Sequence, residues 1–337
     1  MQTRNVLCRS LELVFEYPKR RNQGVLARIV FFFEPDGFAE VELKPMLSKL
    51  AFNIIMRRIA GKQYDGDKAR RKPEPMKLHN LIHELLKLGI SPGLIDEHRR
   101  NKCVKEEDTM IGHLLCLQES QAQYYTDQII KGIVQDMLIP GTNTVVITLE
   151  WSMSLLLNNP NALQKSKSEL DIHIGYDRLL DETDLPKLLH LLNVISKTLR
   201  LNPATHLLIP HVSSDHCNIL GYDIPKDTML LVNAWAIQRD RNVWDEATSF
   251  KPERFESGRI KGSKMMPFGL GRRACPRMDL GLRVAGLALG SLIQCFEWRR
   301  VSEKEIDMTE GNGLNLPKAE PLQASYKVHS TTKKLLS

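Results

Sequence analysis

The sequence predicts a mainly α-helical protein with a small β portion, folded as one domain. Three observations lead there. Residues Asp127 to Asn158 keep apolar side chains at helical spacing over their whole length: Ile130, Ile133, Val134, Met137 and Leu138, then Val145, Val146, Leu149 and Met153. Further helical patterns follow at 161–171 and 184–201. The period then changes: "HCNILGYDIPKDTMLLVNAWAI" (216–237) reads as strands around turns at Leu220-Gly221 and Pro225-Lys226-Asp227.

Taken in order, the first 40 residues carry Arg-rich patches around "ARIVFFFEPDGF" and no sustained period. From Glu40 to Gly61, Leu47, Leu50, Ile54, Ile55 and Ile59 recur at helical spacing before a glycine stop. Residues 62–76, "KQYDGDKARRKPEPM", are charged and broken by proline, as a linker is. "LHNLIHELLKLGI" and "GLIDEHRRNK" read as short helices. After the strands comes "MDLGLRVAGLALGSLIQCFEW", apolar nearly all round and expected to be a buried helix. The tail ends in "LNLPKAEPLQASYKV", which suggests a terminal hairpin.

Composition narrows the class. The 337 residues are 42% hydrophobic with a net charge of +7, an ordinary globular balance. The basic residues are not interleaved with aromatics in a nucleic-acid recognition pattern, so no nucleic-acid partner is expected. A mildly basic surface is equally suited to an acidic protein partner or an anionic membrane. The six cysteines, at 8, 103, 116, 217, 275 and 295, form no C-x-x-C. Neither a zinc module nor a redox pair is expected, and reduced thiols are the default. No run of 18 apolar residues exists, so no transmembrane segment is expected.

The loop "PFGLGRRACPRMDLG" (267–281) concentrates the chemistry. Gly269 and Gly271 let backbone approach a partner closely. Pro276 suits the first turn of a helix, where its missing N–H costs nothing. Cys275 would then sit at a helix N-terminus, where free N–H groups and the macrodipole favour a thiolate, with Arg272 and Arg273 adding positive charge. Such a thiolate can be a nucleophile, a redox thiol or a metal ligand. Equally, it can be a buried structural cysteine beside a solvated basic loop.

The order of motifs resembles one family. "FGLGRRAC" has the form Phe-x-x-Gly-x-Arg-x-Cys of the haem-binding loop of the cytochrome P-450 monooxygenases. "FKPERF" (250–255) resembles that family's Pro-Glu-Arg-Phe element, "KTLRLNP" (197–203) its Glu-x-x-Arg helix, and "PGTNTV" (140–145) its oxygen-binding segment. "VELKPMLSKLAFNIIMRRIAG", "GLIDEHRR", "NAWAIQRD", "TSFKPERF" and "GSLIQCFEW" are similar to plant members of the isoflavone 2'-hydroxylase-like group. The resemblance runs from about residue 40 to about 325. It implies a single partial cytochrome P-450 domain over 1–337, with its haem-binding C-terminal core at 197–337. The family's membrane anchor, hinge, first strands and much of the pocket roof would lie outside this chain.

The resemblance implies haem as cofactor, with Cys275 as the thiolate iron ligand. Arg273 would meet a haem propionate, Phe268 would pack beside the sulfur, and Gly271 would shape the loop. Gly141, Asn143 and Thr144 would be the oxygen-side residues, Thr144 donating a hydrogen bond toward dioxygen. Lys197, Arg200 and Arg254 would occupy a structural triad. Partners would be a small aromatic substrate and a reductase passing electrons from NADPH, docked near Lys261, Lys264, Arg272 and Arg273. The family works at the cytosolic face of the endoplasmic reticulum; a chain without the anchor would be cytosolic.

Three positions depart from the pattern. Lys197 stands where the family has Glu, Asn143 where it has an acid, and Arg277 where it has glycine. They point to an alternative, a degenerate copy that binds haem weakly or not at all; a basic interaction module without cofactor is the third reading.

Overall fold

The computed structural model describes residues 37–61, 90–100, 109–256 and 264–329. Strand β1 (Ala39–Glu42) leads into helix α1 (Leu43–Ala60), which ends on Gly61 in the left-handed region, φ 66°, its N–H bonded to Arg57. Sequence periodicity anticipated the helix and its stop but not the strand. Helices α2 (Ile90–Arg100) and α3 (Met110–Ser120) follow, then α4 (Asp127–Asn158) over the span that its apolar pattern predicts. The Thr126 hydroxyl caps α4 by accepting from the Ile129 N–H. The expected helix at 78–90 and the linker at 62–76 lie outside the described residues, apart from Ile90, which opens α2.

Helix α5 (Pro160–His173) starts on proline at its first turn. The expected helix at 184–201 is two elements: a 3-10 turn, Glu182–Lys187, and α6 (Leu189–Leu201), broken at Leu188. The break has a cause in capping. Asp181 and Asp184 form a reciprocal capping box on the first, while the Glu169 carboxylate of α5 accepts from the His190 and Leu191 N–H groups at the start of the second.

The small strands β2 (His211–Val212), β3 (Cys217–Ile219), β4 (Tyr222–Ile224) and β5 (Met229–Leu230) form two antiparallel pairs, β2 with β5 and β3 with β4. Leu220 and Gly221 take positive φ, 52° and 89°, at the tight turn expected there. "NAWAI" is a short helix, α7 (Ala234–Gln238), rather than strand, because the Asn233 side chain accepts from the Ala236 N–H and starts a turn.

Helix α8 (Met278–Cys295) is buried from Val284 to Cys295 and exposed at its first residues. By length and composition it could cross a membrane; here it is a core helix lying on α4, α5 and α6. Gly290 permits this, since a Cβ there would come within 2.5 Å of Leu180 Cδ2. "FEW" is not its last turn but the start of β6 (Phe296–Arg299). The expected terminal hairpin is also absent: β7 (Gln323–Val328) pairs instead with β1 and β6, antiparallel, in the order β1-β7-β6. Long-range pairing of this kind leaves no local turn signal.

Among the described residues two larger apolar cores meet along α1 and α4, and a small third one gathers Ile147, Trp151 and Ala204. The smaller of the two larger cores gathers Phe52 to Ala60, α2, α3 and the first part of α4 up to Leu138. The larger gathers Leu43 to Ala51, α5, α6, α8, the sheet and α4 from Val145 onward. The stretch Ile139–Thr144 falls between them.

Candidate functional site

The seam between the two cores is where the cysteine loop arrives. A 3-10 turn, Gly271–Arg273, precedes Cys275, and the loop closes on itself through Cys275 N–H to Phe268 O at 2.7 Å and Gly269 N–H to Met266 O at 3.0 Å. Gly269 and Gly271 take φ 70° and 69°, a region that side-chain-bearing residues avoid, which is the physical reason for glycine at both positions. Cys275 is a free, exposed thiol, so the buried structural reading fails. Cys295, by contrast, is 2% exposed within the core. Cys116 is half-buried and Cys217 exposed, on α3 and β3, away from any comparable loop; Cys8 and Cys103 lie outside the described residues.

One expectation is corrected. Helix α8 begins at Met278 with Arg277 as N-cap, so Pro276 precedes the helix rather than opening its first turn. Cys275 stands two residues before that cap. The thiol therefore belongs to the loop, and the Met278 N–H bonds to the Cys275 carbonyl at 3.4 Å.

Across from the loop lies α4. Gly141, Asn143 and Thr144 are half-buried, and the Thr144 hydroxyl donates back to the Pro140 carbonyl at 2.8 Å. The helix runs unbroken through Pro140, which supplies no N–H to the Asp136 carbonyl one turn earlier. The Arg277 side chain reaches this point. Its guanidinium donates to the carbonyls of Asp136 and Met137. It also lies against Gly141, where a Cβ would be 1.9 Å from Nη1 and 2.9 Å from Cζ. Burial lowers the Arg277 pKa, while the Cys275 and Asp136 charges nearby favour its charged form.

Lys197, Arg200 and Arg254 come together where the 3-10 turn at 252–255 packs on α6. Lys197 and Arg200 are fully buried on α6, and Arg254 sits half-buried in the 3-10 turn Pro252–Phe255 packed on that helix. The Arg200 guanidinium donates to the carbonyls of Gln238 and Ala247 and lies 4.8 Å from the Trp244 ring, with Arg254 5.9 Å from the same ring. The Lys197 ammonium has no hydrogen-bond acceptor, and neither do the Nε groups of Arg200 and Arg254. Burial, then the charges of Arg200 and Arg254, pull the Lys197 pKa down to about 7.

Sequence reading missed Gln238. Its amide donates to the carbonyls of Leu199 and Arg200, and its oxygen accepts from the Met266 N–H at 2.8 Å, which ties α6 to the entrance of the cysteine loop. No motif marks it; only the fold places it there. Phe268 is partly buried against the larger core, while Lys264, Arg272 and Arg273 are exposed. Lys261 lies outside the described residues. Among those residues, no group of three or more His, Cys, Asp or Glu side chains gathers to hold a metal, so a metal here would rest on a single thiolate and a larger group.

The Cytochrome P450 family profile matches residues 91–323. Cytochrome P450 81Q32 of Catharanthus roseus is 48% identical over 94% of this chain and 70% of its own length. An isoflavone 2'-hydroxylase of Glycyrrhiza echinata is 46% identical over 86% of this chain and 65% of its own. The chain thus spans about two thirds of the length of the curated relatives it matches. A zebrafish cytochrome P450 solved with abiraterone superposes with a TM-score of 0.78 at 23% identity, covering 95% of this chain and 80% of that one. A thiol loop before a buried helix, set against a long central helix within this fold and this sequence likeness, identifies the chain as a member of the cytochrome P450 family.

Proposed function

We propose that this chain is built for the haem-thiolate monooxygenase chemistry of its family, hydroxylating a small plant phenolic such as an isoflavonoid with dioxygen and electrons from NADPH through a reductase. The observation that carries this reading is Cys275, a free exposed thiol in a loop shaped by two positive-φ glycines. The 46% identity to an isoflavone 2'-hydroxylase supports the substrate class. Exposed Lys264, Arg272 and Arg273 supply a basic rim suited to an acidic reductase face. By family, the place of work is the cytosolic face of the endoplasmic reticulum.

The family and fold imply haem; the residues fit it on one side only. The loop side fits, with Cys275 free to ligate and Phe268 beside it. The facing side does not, because the Arg277 guanidinium reaches across from the loop to Gly141 and to the Asp136 and Met137 carbonyls of α4. A second reading, a chain that holds haem weakly and does not turn over, is favoured by that obstruction and by the unpartnered Lys197.

The test of the first reading is haemin titration of the purified chain followed by a carbon monoxide difference spectrum after reduction. A thiolate-type spectrum is expected, and it is lost in Cys275→Ser. Retention of that spectrum in the variant would show that another residue is the ligand.

A further inference from the structure

We propose that Arg277 is an internal latch. Its guanidinium takes over the hydrogen bond that Pro140 removes from α4, and by doing so it closes the gap between the cysteine loop and the central helix, so that haem enters only when Arg277 leaves. The inference rests on the haem reading above and adds the element that controls it.

Each part follows from a contact. A proline inside a helix leaves the carbonyl four residues before it without its N–H donor, and here that carbonyl is Asp136. Arg277 donates to Asp136 and to its neighbour Met137, a two-carbonyl fork for which a planar guanidinium is suited and an ammonium is not. Gly141 is the only residue type that leaves room, since any Cβ would meet Nη1. The three residues Pro140, Gly141 and Arg277 therefore form one fitted contact: one supplies the orphaned acceptor, one the space and one the donor.

The position explains why the contact matters. Arg277 is two residues beyond the thiol and anchors on α4. It bridges to α4 at 139–144, the stretch that contributes no residue to either apolar core. A small side chain at 277 would remove that bridge. The latch thus stabilises the haem-free chain at the expense of the haem-bound one, which is how a ligand-excluding contact shifts a two-state equilibrium.

The experiment pairs haemin titration with thermal unfolding of the haem-free full chain, for Arg277→Gly, Pro140→Ala and the double variant. Arg277→Gly is expected to bind haemin at least tenfold more tightly while its haem-free unfolding midpoint falls by several degrees. In the Pro140→Ala background, where the alanine N–H again reaches the Asp136 carbonyl, removing Arg277 should lower the midpoint by less than half as much. Gly141→Ala, which pushes the guanidinium away without removing it, should tighten haemin binding in the same direction and guards against a misfolded Arg277→Gly. Equal haemin affinity in all forms, with a thiolate spectrum present, overturns the latch and leaves the haem reading standing. Haemin uptake by none of them overturns the haem reading. In that case coupling between positions 140 and 277 in the haem-free chain still decides whether the contact exists, and additive midpoints overturn it.

Discussion

Lys197 and Arg277 are both cations that, by the resemblance, stand where another residue is expected; Lys197 is fully buried and Arg277 half-buried, and the fold treats them in opposite ways. Arg277 ends on two backbone carbonyls, one of them freed by a proline. The Lys197 ammonium has no hydrogen-bond acceptor and lies near three further cations, Arg200, Arg254 and Lys251, with the Glu246 anion favouring its charge. A buried charge with acceptors costs little; one without them costs several kcal/mol or gives up its proton. Foreign charge is therefore tolerated where the local backbone has an unsatisfied oxygen, and is a burden where it does not. The neighbouring Arg200 makes the same point, since its two carbonyl partners, Gln238 and Ala247, secure it a short distance from Lys197.

The largest way to break the contrast is to give the Lys197 cluster an acceptor. Lys197→Glu is expected to stabilise the chain by about 3 kcal/mol, the range in which a buried ion network is lost or restored. The thermal midpoint should rise by several degrees, and haem occupancy should rise with it. Circular dichroism melts and the haem-to-protein absorbance ratio measure both; an unchanged midpoint would show that Lys197 is not a burden.

A smaller effect is expected at Gln238, the link between the Arg200 cluster and the cysteine loop. Gln238→Leu removes partners from two carbonyls and one N–H, at a cost of about 2 kcal/mol. Amide exchange at Met266 should speed up before that of α8, because the loop loses its tether first. Unchanged protection at Met266 would mean that the loop is held by its own backbone bonds alone.

The smallest effect is a pH slope. Lys197 has a folded pKa of about 7 against an ordinary 10.5, so between those values the unfolded chain binds more protons than the folded one. Stability then rises with pH across that window and is penalised most fully below pH 7, with a slope of at most about 1.4 kcal/mol per pH unit. Lys197→Met should flatten it, as read from urea midpoints at pH 7, 8 and 9. A slope that persists in the variant would assign it to other groups.

Much of this could be read from the chain. The 32 residues of α4 follow from their apolar period, because a helix with a buried stripe writes that stripe directly into sequence. The turn at Leu220-Gly221 follows from glycine, and the loop at 267–275 from the spacing of Phe268, Gly271, Arg273 and Cys275. These are local rules, each satisfied within a few residues.

What the sequence alone determined, then, was the helical class, the thiol loop and the identities of the odd residues at 140, 197 and 277. Only the tertiary structure decided what those oddities do. Pro140 and Arg277 are 137 positions apart, and nothing in either segment says that a guanidinium will meet the carbonyl a proline leaves bare. Lys197, Arg200 and Arg254 meet because α6 and the 3-10 turn at 252–255 pack together. Likewise β7 pairs with β1 across almost the whole described chain. Hydrogen-bond donors and acceptors are matched by distance in space, and residue spacing along the chain carries that information only where the partners are near in sequence.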